Sequence, residues 1–180
     1  MLLARAHSAV LVIDAQVKLL NVVQEPDKVA HHITTILKAS GHLQIPVIVS
    51  EQNPERLGRS DERVLQYLQA DDVLPKREFS CLKNEAIARR LSGIGRQQIV
   101  VCGLEAHICV LQTAIDLHRG GYETFVVSDA VSSRSATNID LAFRRAASLG
   151  INIVSSEMVL FEWLGSSENE AFRTISKLIR

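Results

Sequence analysis

Ile99-Val100-Val101-Cys102-Gly103-Leu104-Glu105-Ala106-His107-Ile108-Cys109-Val110-Leu111 is the stretch whose reading decides the fold. It opens as a short β-branched apolar run, breaks at Gly103, and resumes at helical spacing through Ile108, Leu111 and Ile115. That pattern predicts strand, tight turn and helix. Cys109 then falls in the first turn of the helix, where unpaired N–H groups and the positive end of the macrodipole favour a thiolate and supply donors to an oxyanion. A nucleophile suits that position. Taken alone, Cys109 is more simply a small core hydrophobe, because free cysteine is among the most buried residue types. Catalysis needs a charged partner from elsewhere in the chain.

Upstream, Ser8 to Ile13 is a nearly continuous apolar run ending at Asp14. Such a run fits a strand buried on both faces of a parallel sheet, with Asp14 at the carboxyl edge where open α/β sheets hold their ligands. A turn-forming aspartate at a strand end is the competing reading. A helix is expected from Pro26 until Gly41 stops it, then a strand from Pro46 to Ser50 and a polar loop from Glu51 to Gly58. Asp61 to Ala70 reads as a short helix capped by Ser60. Lys76 follows Pro75, which stiffens the backbone, although most lysines are solvated surface charges.

Downstream, a helix is expected from Asn84 to Leu91, a strand from Thr124 to Ser128, a helix from Thr137 to Ser148 and a strand from Ile151 to Val154. Glu157 to Trp163 and Glu168 to Ile179 read as further helices. Gly93-Ile94-Gly95 precedes a strand instead of joining strand to helix, so it lacks the context of a dinucleotide-binding turn. Alternating strands and helices predict a three-layer α/β/α sandwich around a mainly parallel, doubly wound sheet. Residues 1–180 form one domain on this reading, without repeat or linker.

Composition narrows the function. The 20 Lys and Arg balance the 20 Asp and Glu, which removes the excess positive charge that nucleic acid or an anionic membrane requires. No apolar stretch approaches the ~20 residues of a membrane span, and the N-terminus enters a strand-like run within a few residues. The expected location is therefore the cytoplasm. Cys81, Cys102 and Cys109 lack disulfide-framework spacing, which fits a reducing compartment.

Asp14-x-Gln16, Lys76 with Phe79-Ser80, and Gly103 to Val110 together resemble the isochorismatase-like cysteine hydrolases. The resemblance continues through Ser128 to Ser135 and Ser155-Ser156-Glu157. The loop Ser50-Glu51-Gln52-x-Pro54 with Leu57-Gly58 is most similar to the isochorismatase domain-containing proteins and related bacterial hydrolases. The resemblance implies a triad in which Asp14 is the general base, Lys76 stabilises charge and favours the thiolate, and Cys109 attacks the substrate carbon. It also implies a non-proline cis peptide between Leu104 and Glu105, with the N–H groups of Glu105 and Cys109 forming an oxyanion hole. Gln16, Gln52, Phe79 and His107 are candidates for contacting substrate.

The implied reaction is hydrolysis of a C–N bond in a small amide-type substrate through a thioester, without cofactor. Metal-dependent nicotinamidases of this superfamily carry Asp-x-His and a further histidine where this chain has Glu51-Gln52-Asn53, so no metal is expected. His31, His32 and His42 read as surface residues. True isochorismatases do not keep the nucleophilic cysteine. A homo-oligomer is expected, with Val159, Leu160, Phe161, Trp163 and Leu164 as slight support. The alternative is a binding or scaffold protein that keeps the fold without full activity.

Overall fold

The computed structural model describes residues 1–179. Its sheet has the strand order β3-β2-β1-β4-β5-β6, and every pairing is parallel. The strands are β1 (Ser8–Ile13), β2 (Val47–Gln52), β3 (Val73–Lys76), β4 (Gln98–Leu104), β5 (Glu123–Ser132) and β6 (Asn152–Val154). β1 and β4 are buried along their whole length, as their largely apolar runs require when helices cover both faces.

The helices are α1 (Val17–Leu20), α2 (Pro26–Leu43), α3 (Pro54–Leu57), α4 (Glu62–Leu65), α5 (Glu85–Ile94), α6 (Leu111–Arg119), α7 (Ala136–Ser148), α8 (Ser156–Leu164) and α9 (Phe172–Ile175). α2 and α8 cover one face, joining Ile33, Ile36, Leu160 and Trp163 to Val10, Val12, Val100 and Cys102 of the strands. α5, α6 and α7 cover the other, joining Ile87, Leu91, Leu117 and Ala146 to Leu11, Ile13, Ile99 and Val101. Alternate residues of each strand thus serve opposite cores, which is the period-two consequence of the pleat.

Several expectations shift. Val73 to Lys76, for which no strand is expected, forms the edge strand β3. Pro75 is exposed there, and a proline is tolerated on an edge because its missing N–H would face away from the ladder. Gly41 does not stop α2; the helix runs to Leu43 and ends at Gln44 in the left-handed region, φ 55°. The helix expected over Asp61 to Ala70 is only α4, and its cap is Asp61, whose carboxylate accepts from Arg63 N at 2.9 Å. Ser60 is buried instead, its N–H donating to Glu51 Oε1 at 2.7 Å. Of Glu168 to Ile179 only α9 is helical, since Ser166 and Asn169 turn the chain with their own side chains. Val159, Leu160, Trp163 and Leu164 are core, leaving Phe161 as the exposed member of that cluster. The Trp163 indole donates to Ser8 Oγ at 2.9 Å.

Gly103 does not end β4, as the break in the apolar run suggests; it pairs with Ile13 at the carboxyl ends of β4 and β1. A Cβ on Gly103 would collide with the Ile13 backbone, and its φ of +117° is one that side-chain-bearing residues rarely adopt. Gly103→Ala is therefore expected to cost about 3 kcal/mol or more, read as a lowered urea midpoint at unchanged m-value. Beyond this point β5 bulges: Val126 pairs with Val101, but Val131 pairs with Gly103. The extra residues carry Ser132, Ser133 and Arg134 alongside the end of β4.

Candidate active site

The strand order brings the carboxyl ends of β3, β2, β1 and β4 side by side. Each contributes one group to a single buried cluster. β1 hands over Asp14, whose φ of 51° lies in the left-handed region that aspartate visits more readily than most residues. Its N–H donates to Ser50 O at 3.0 Å and its carbonyl accepts from Gln16 N at 2.7 Å, so the chain turns sharply off the sheet. β3 ends in Lys76, and its Nζ donates to Asp14 Oδ2 at 2.7 Å. β2 contributes Ser50, whose hydroxyl donates to Asp14 Oδ1 at 2.7 Å. The segment after β4 contributes Cys109, whose thiol lies near enough to the same carboxylate for each to shift the other's proton affinity.

Cys109 lies in one π turn, Ala106–Val110, that runs directly into α6. Its geometry shows in Glu105 O, which accepts from both Ile108 N at 3.1 Å and Val110 N at 3.2 Å. A π turn widens the helix locally and is common at functional sites. The Leu104–Glu105 peptide is cis.

Lys76 has no exposed side-chain surface, and its ammonium is caged. Besides Asp14 it donates to Gln52 Oε1 at 2.6 Å, Glu78 O at 3.2 Å and Phe79 O at 3.3 Å. Three N–H bonds face four acceptors. Burial works to lower its pKa, but Asp14 and the neighbouring sulfurs hold it above its ordinary value. Burial also pushes the Asp14 carboxyl up, against the lowering pull of Lys76, Ser50 and Cys109. Contrary to the expectation of a lysine-stabilised thiolate, the Cys109 thiol is pushed up, first by burial and then by Asp14, with Lys76 offsetting only part. Two anions beside one buried cation would leave an unpaired charge. That favours one proton on the Asp14–Cys109 pair, which is coupled through the space between the two groups.

The expected contact residues divide. Gln16 is buried beside the cluster, but its amide clamps the loop after β2: Nε2 donates to Gln52 O at 3.0 Å and Gly58 O at 2.5 Å, and Oε1 accepts from Gln52 N at 2.8 Å. Gln52 turns its own oxygen to Lys76 and its Nε2 to Arg77 O at 2.8 Å. Phe79 is 55% exposed beside the carbonyl that binds Lys76. His107 Nδ1 lies 2.9 Å from Ser133 Oγ. Residues two apart on a helical turn do not face each other, so His107 points away from the Cys109 thiol.

Some participants were not legible. Ser50 is a polar residue at the carboxyl end of an apolar strand, and the β1–β2 register pairs it with Ile13. Cys81 Sγ sits 3.5 Å from Ser50 Oγ. The Glu105 carboxylate, largely buried, accepts from Arg134 Nε at 2.8 Å, while the Arg134 side chain is mostly exposed. Away from this edge, His32 is not a plain surface residue. Its Nδ1 lies 2.9 Å from Ser156 Oγ, which donates to Asp129 Oδ2 at 2.7 Å. Asp129 also accepts from Ser156 N at 2.8 Å, so this group fastens the start of α8. Among the described residues no group of three or more His, Cys, Asp and Glu side chains is placed to hold a metal.

Known proteins share this fold and sequence pattern. The family model described as "Isochorismatase domain" matches residues 8–158. The secreted isochorismatase effector Isc1 of Phytophthora sojae is 36% identical over 179 residues, covering 97% of this chain and 85% of that protein. A structure described as MAR1 ribonuclease from Caenorhabditis elegans superposes with a TM-score of 0.93 at 31% identity, covering 99% of this chain and 92% of that one. The YcaC gene product of Escherichia coli, described as an octameric hydrolase of unknown specificity, shares the fold with a TM-score of 0.94 at 20% identity, over 99% and 89% of the two chains. The chain spans 51% of the length of some other curated relatives it matches. No helix among the described residues is long and apolar enough to cross a membrane.

Proposed function

The chain belongs to the isochorismatase family, and from that premise we propose that it is a cysteine-dependent hydrolase cleaving the C–N bond of a small amide-type substrate. Family membership supports a hydrolase; the nucleophile, base and substrate class are our reading. The observation that carries it is the buried Asp14 carboxylate, which pairs with Lys76 Nζ at 2.7 Å and is electrostatically coupled to the Cys109 thiol.

In the resting site Asp14 is ionised, Lys76 is a cation and Cys109 is a thiol. Moving the thiol proton to Asp14 leaves the total charge unchanged, so the low-dielectric site need not solvate a new ion. The thiolate formed beside Lys76 attacks the substrate carbonyl carbon. Backbone N–H groups of Glu105 and Cys109 serve the tetrahedral oxyanion, and such a donor contributes about 3 to 4 kcal/mol. The C–N bond then breaks, Asp14 returns its proton to the leaving amine, and a thioester remains. Water attacks the thioester, gives its proton to Asp14, and the departing sulfur recovers that proton. Lys76 donates none, because all its hydrogens are held by the cage.

Glu105 is anchored for this role by Arg134. Gln52 and Phe79 lie on segments that border the cluster and are placed to meet substrate, with Gln16 holding the Gln52 loop and His107 turned to Ser133. No metal or cofactor enters the scheme. A homo-oligomer follows the precedent of the octameric neighbour. The free Cys81, Cys102 and Cys109 suit a reducing, cytoplasmic setting. The nematode relative is described as a ribonuclease, which makes RNA a second substrate class. The balance of 20 basic and 20 acidic residues works against it.

The test is iodoacetamide labelling followed by peptide mass spectrometry from pH 5 to pH 9. Cys109 is expected to react ahead of Cys81 and Cys102 at neutral pH, because it alone has an adjacent base and residual exposure, 6% against 0%. Asp14→Asn removes the base and abolishes the advantage. Equal sluggishness of all three thiols selects the scaffold reading instead.

A further inference from the structure

The second oxygen of Asp14, the one Lys76 does not hold, is served by a chain of donors that the scheme above does not use. Ser50 and Cys81 are both fully buried. A hydroxyl has one proton, and that of Ser50 is committed to Asp14 Oδ1 at 2.7 Å. Its oxygen is therefore left to accept, and Cys81 Sγ at 3.5 Å is the donor that reaches it. Counting protons fixes the direction: Cys81 to Ser50 to Asp14. Cys81 is itself held by its backbone N–H, which donates to Thr113 Oγ1 on α6 at 3.0 Å. The thiol is pushed up to about 11, chiefly by burial, so it stays a donor throughout the neutral range.

We propose that Ser50 and Cys81 form a hydrogen-bonded buttress that keeps Asp14 ionised at neutral pH and so sets its strength as a base toward Cys109. Ser50 is a positioning residue, acting only through Asp14. A carboxylate without exposed surface favours its neutral form, and each donor aimed at the charged form opposes that preference. The groups facing Asp14 are Lys76 from β3, Cys109 from the π turn, Ser50 from β2 and, behind it, Cys81 from the turn after β3. Lys76 supplies the charge. The buttress supplies the second oxygen's donor, strengthened because Ser50 is itself polarised by Cys81.

The inference rests on Asp14 being the base for Cys109, and the test separates the two. The rate of Cys109 alkylation by iodoacetamide is followed against pH in the intact protein. Its acid limb reports the Asp14–Cys109 pair losing its first proton. Ser50→Ala is expected to move that limb to higher pH by about one unit, the scale of one hydrogen bond to a charged group. Cys81→Ala moves it in the same direction by less, and Cys81→Ser, which keeps an O–H donor, stays with the wild type. A wild-type profile without an acid limb overturns the base assignment and the buttress with it. A wild-type limb that Ser50→Ala leaves in place overturns the buttress alone. Matching profiles for Cys81→Ala and Cys81→Ser remove Cys81 from it. Thermal unfolding of each variant confirms that the site is still folded.

Discussion

Cys109→Ala is expected to lower kcat on any amide the protein hydrolyses by about 10⁴-fold or more, the scale of removing a nucleophile whose partners act with it as a unit. KM changes little by comparison, because the thiol contributes to bond making and not to holding the leaving half of the substrate. Stability falls only modestly: the side chain is small, and its loss removes one donor from a carboxylate that keeps Lys76 and Ser50. Cys109→Ser is nearly as inactive, since an alcohol holds its proton far more tightly than a thiol. The check is turnover on a panel of small amides beside urea midpoints for the same variants. Residual turnover within tenfold of wild type places the nucleophile elsewhere. A midpoint that collapses marks Cys109 as a packing residue.

The second large effect is on stability. Lys76→Met leaves Asp14 without its cation in a site with no exposed side-chain surface. Removing one partner of a buried pair costs about 3 to 5 kcal/mol, which for a chain of this size lowers Tm by roughly 10 °C. The loss depends on pH, and its sign follows from Asp14. Its folded pKa lies above the unfolded value of 3.8, so the folded state binds more protons between the two. Stability therefore falls as pH rises across that interval. Without Lys76 the folded value climbs further and the interval widens, making the deficit of Lys76→Met larger at pH 8 than at pH 5. Lys76 does not blur this trend. Its own folded pKa lies above 10.5, so its contribution is fully present throughout pH 5 to 8. Differential scanning calorimetry at the two pH values decides it. A pH-independent deficit means that Asp14 is not the charge being stranded.

Much of the fold was legible because it is written in local pattern. The apolar runs from Ser8 to Ile13 and from Ile99 to Cys102 demand burial on both faces, and alternation with helices leaves little but a parallel sheet between two layers. β3 escaped because a proline inside four residues hides a strand until its edge position is known. The short helices α4 and α9 were overcalled because apolar spacing persists where turn-forming side chains have already taken the backbone.

By itself, the sequence determined the parallel sheet apart from its edge strand β3, the carboxyl-edge position of Asp14, and Cys109 on the turn after β4, all of which follow from periodicity and from the order of residues along the chain. Tertiary structure decided what those residues are chemically. The Asp14–Lys76 bond spans 62 positions, and the caging of Lys76 and the contacts of Ser50 with Asp14 and Cys81 all depend on distances between strands that meet only when folded. Proton affinity is set by burial and by neighbours within a few ångström. No reading of spacing along one strand contains that information.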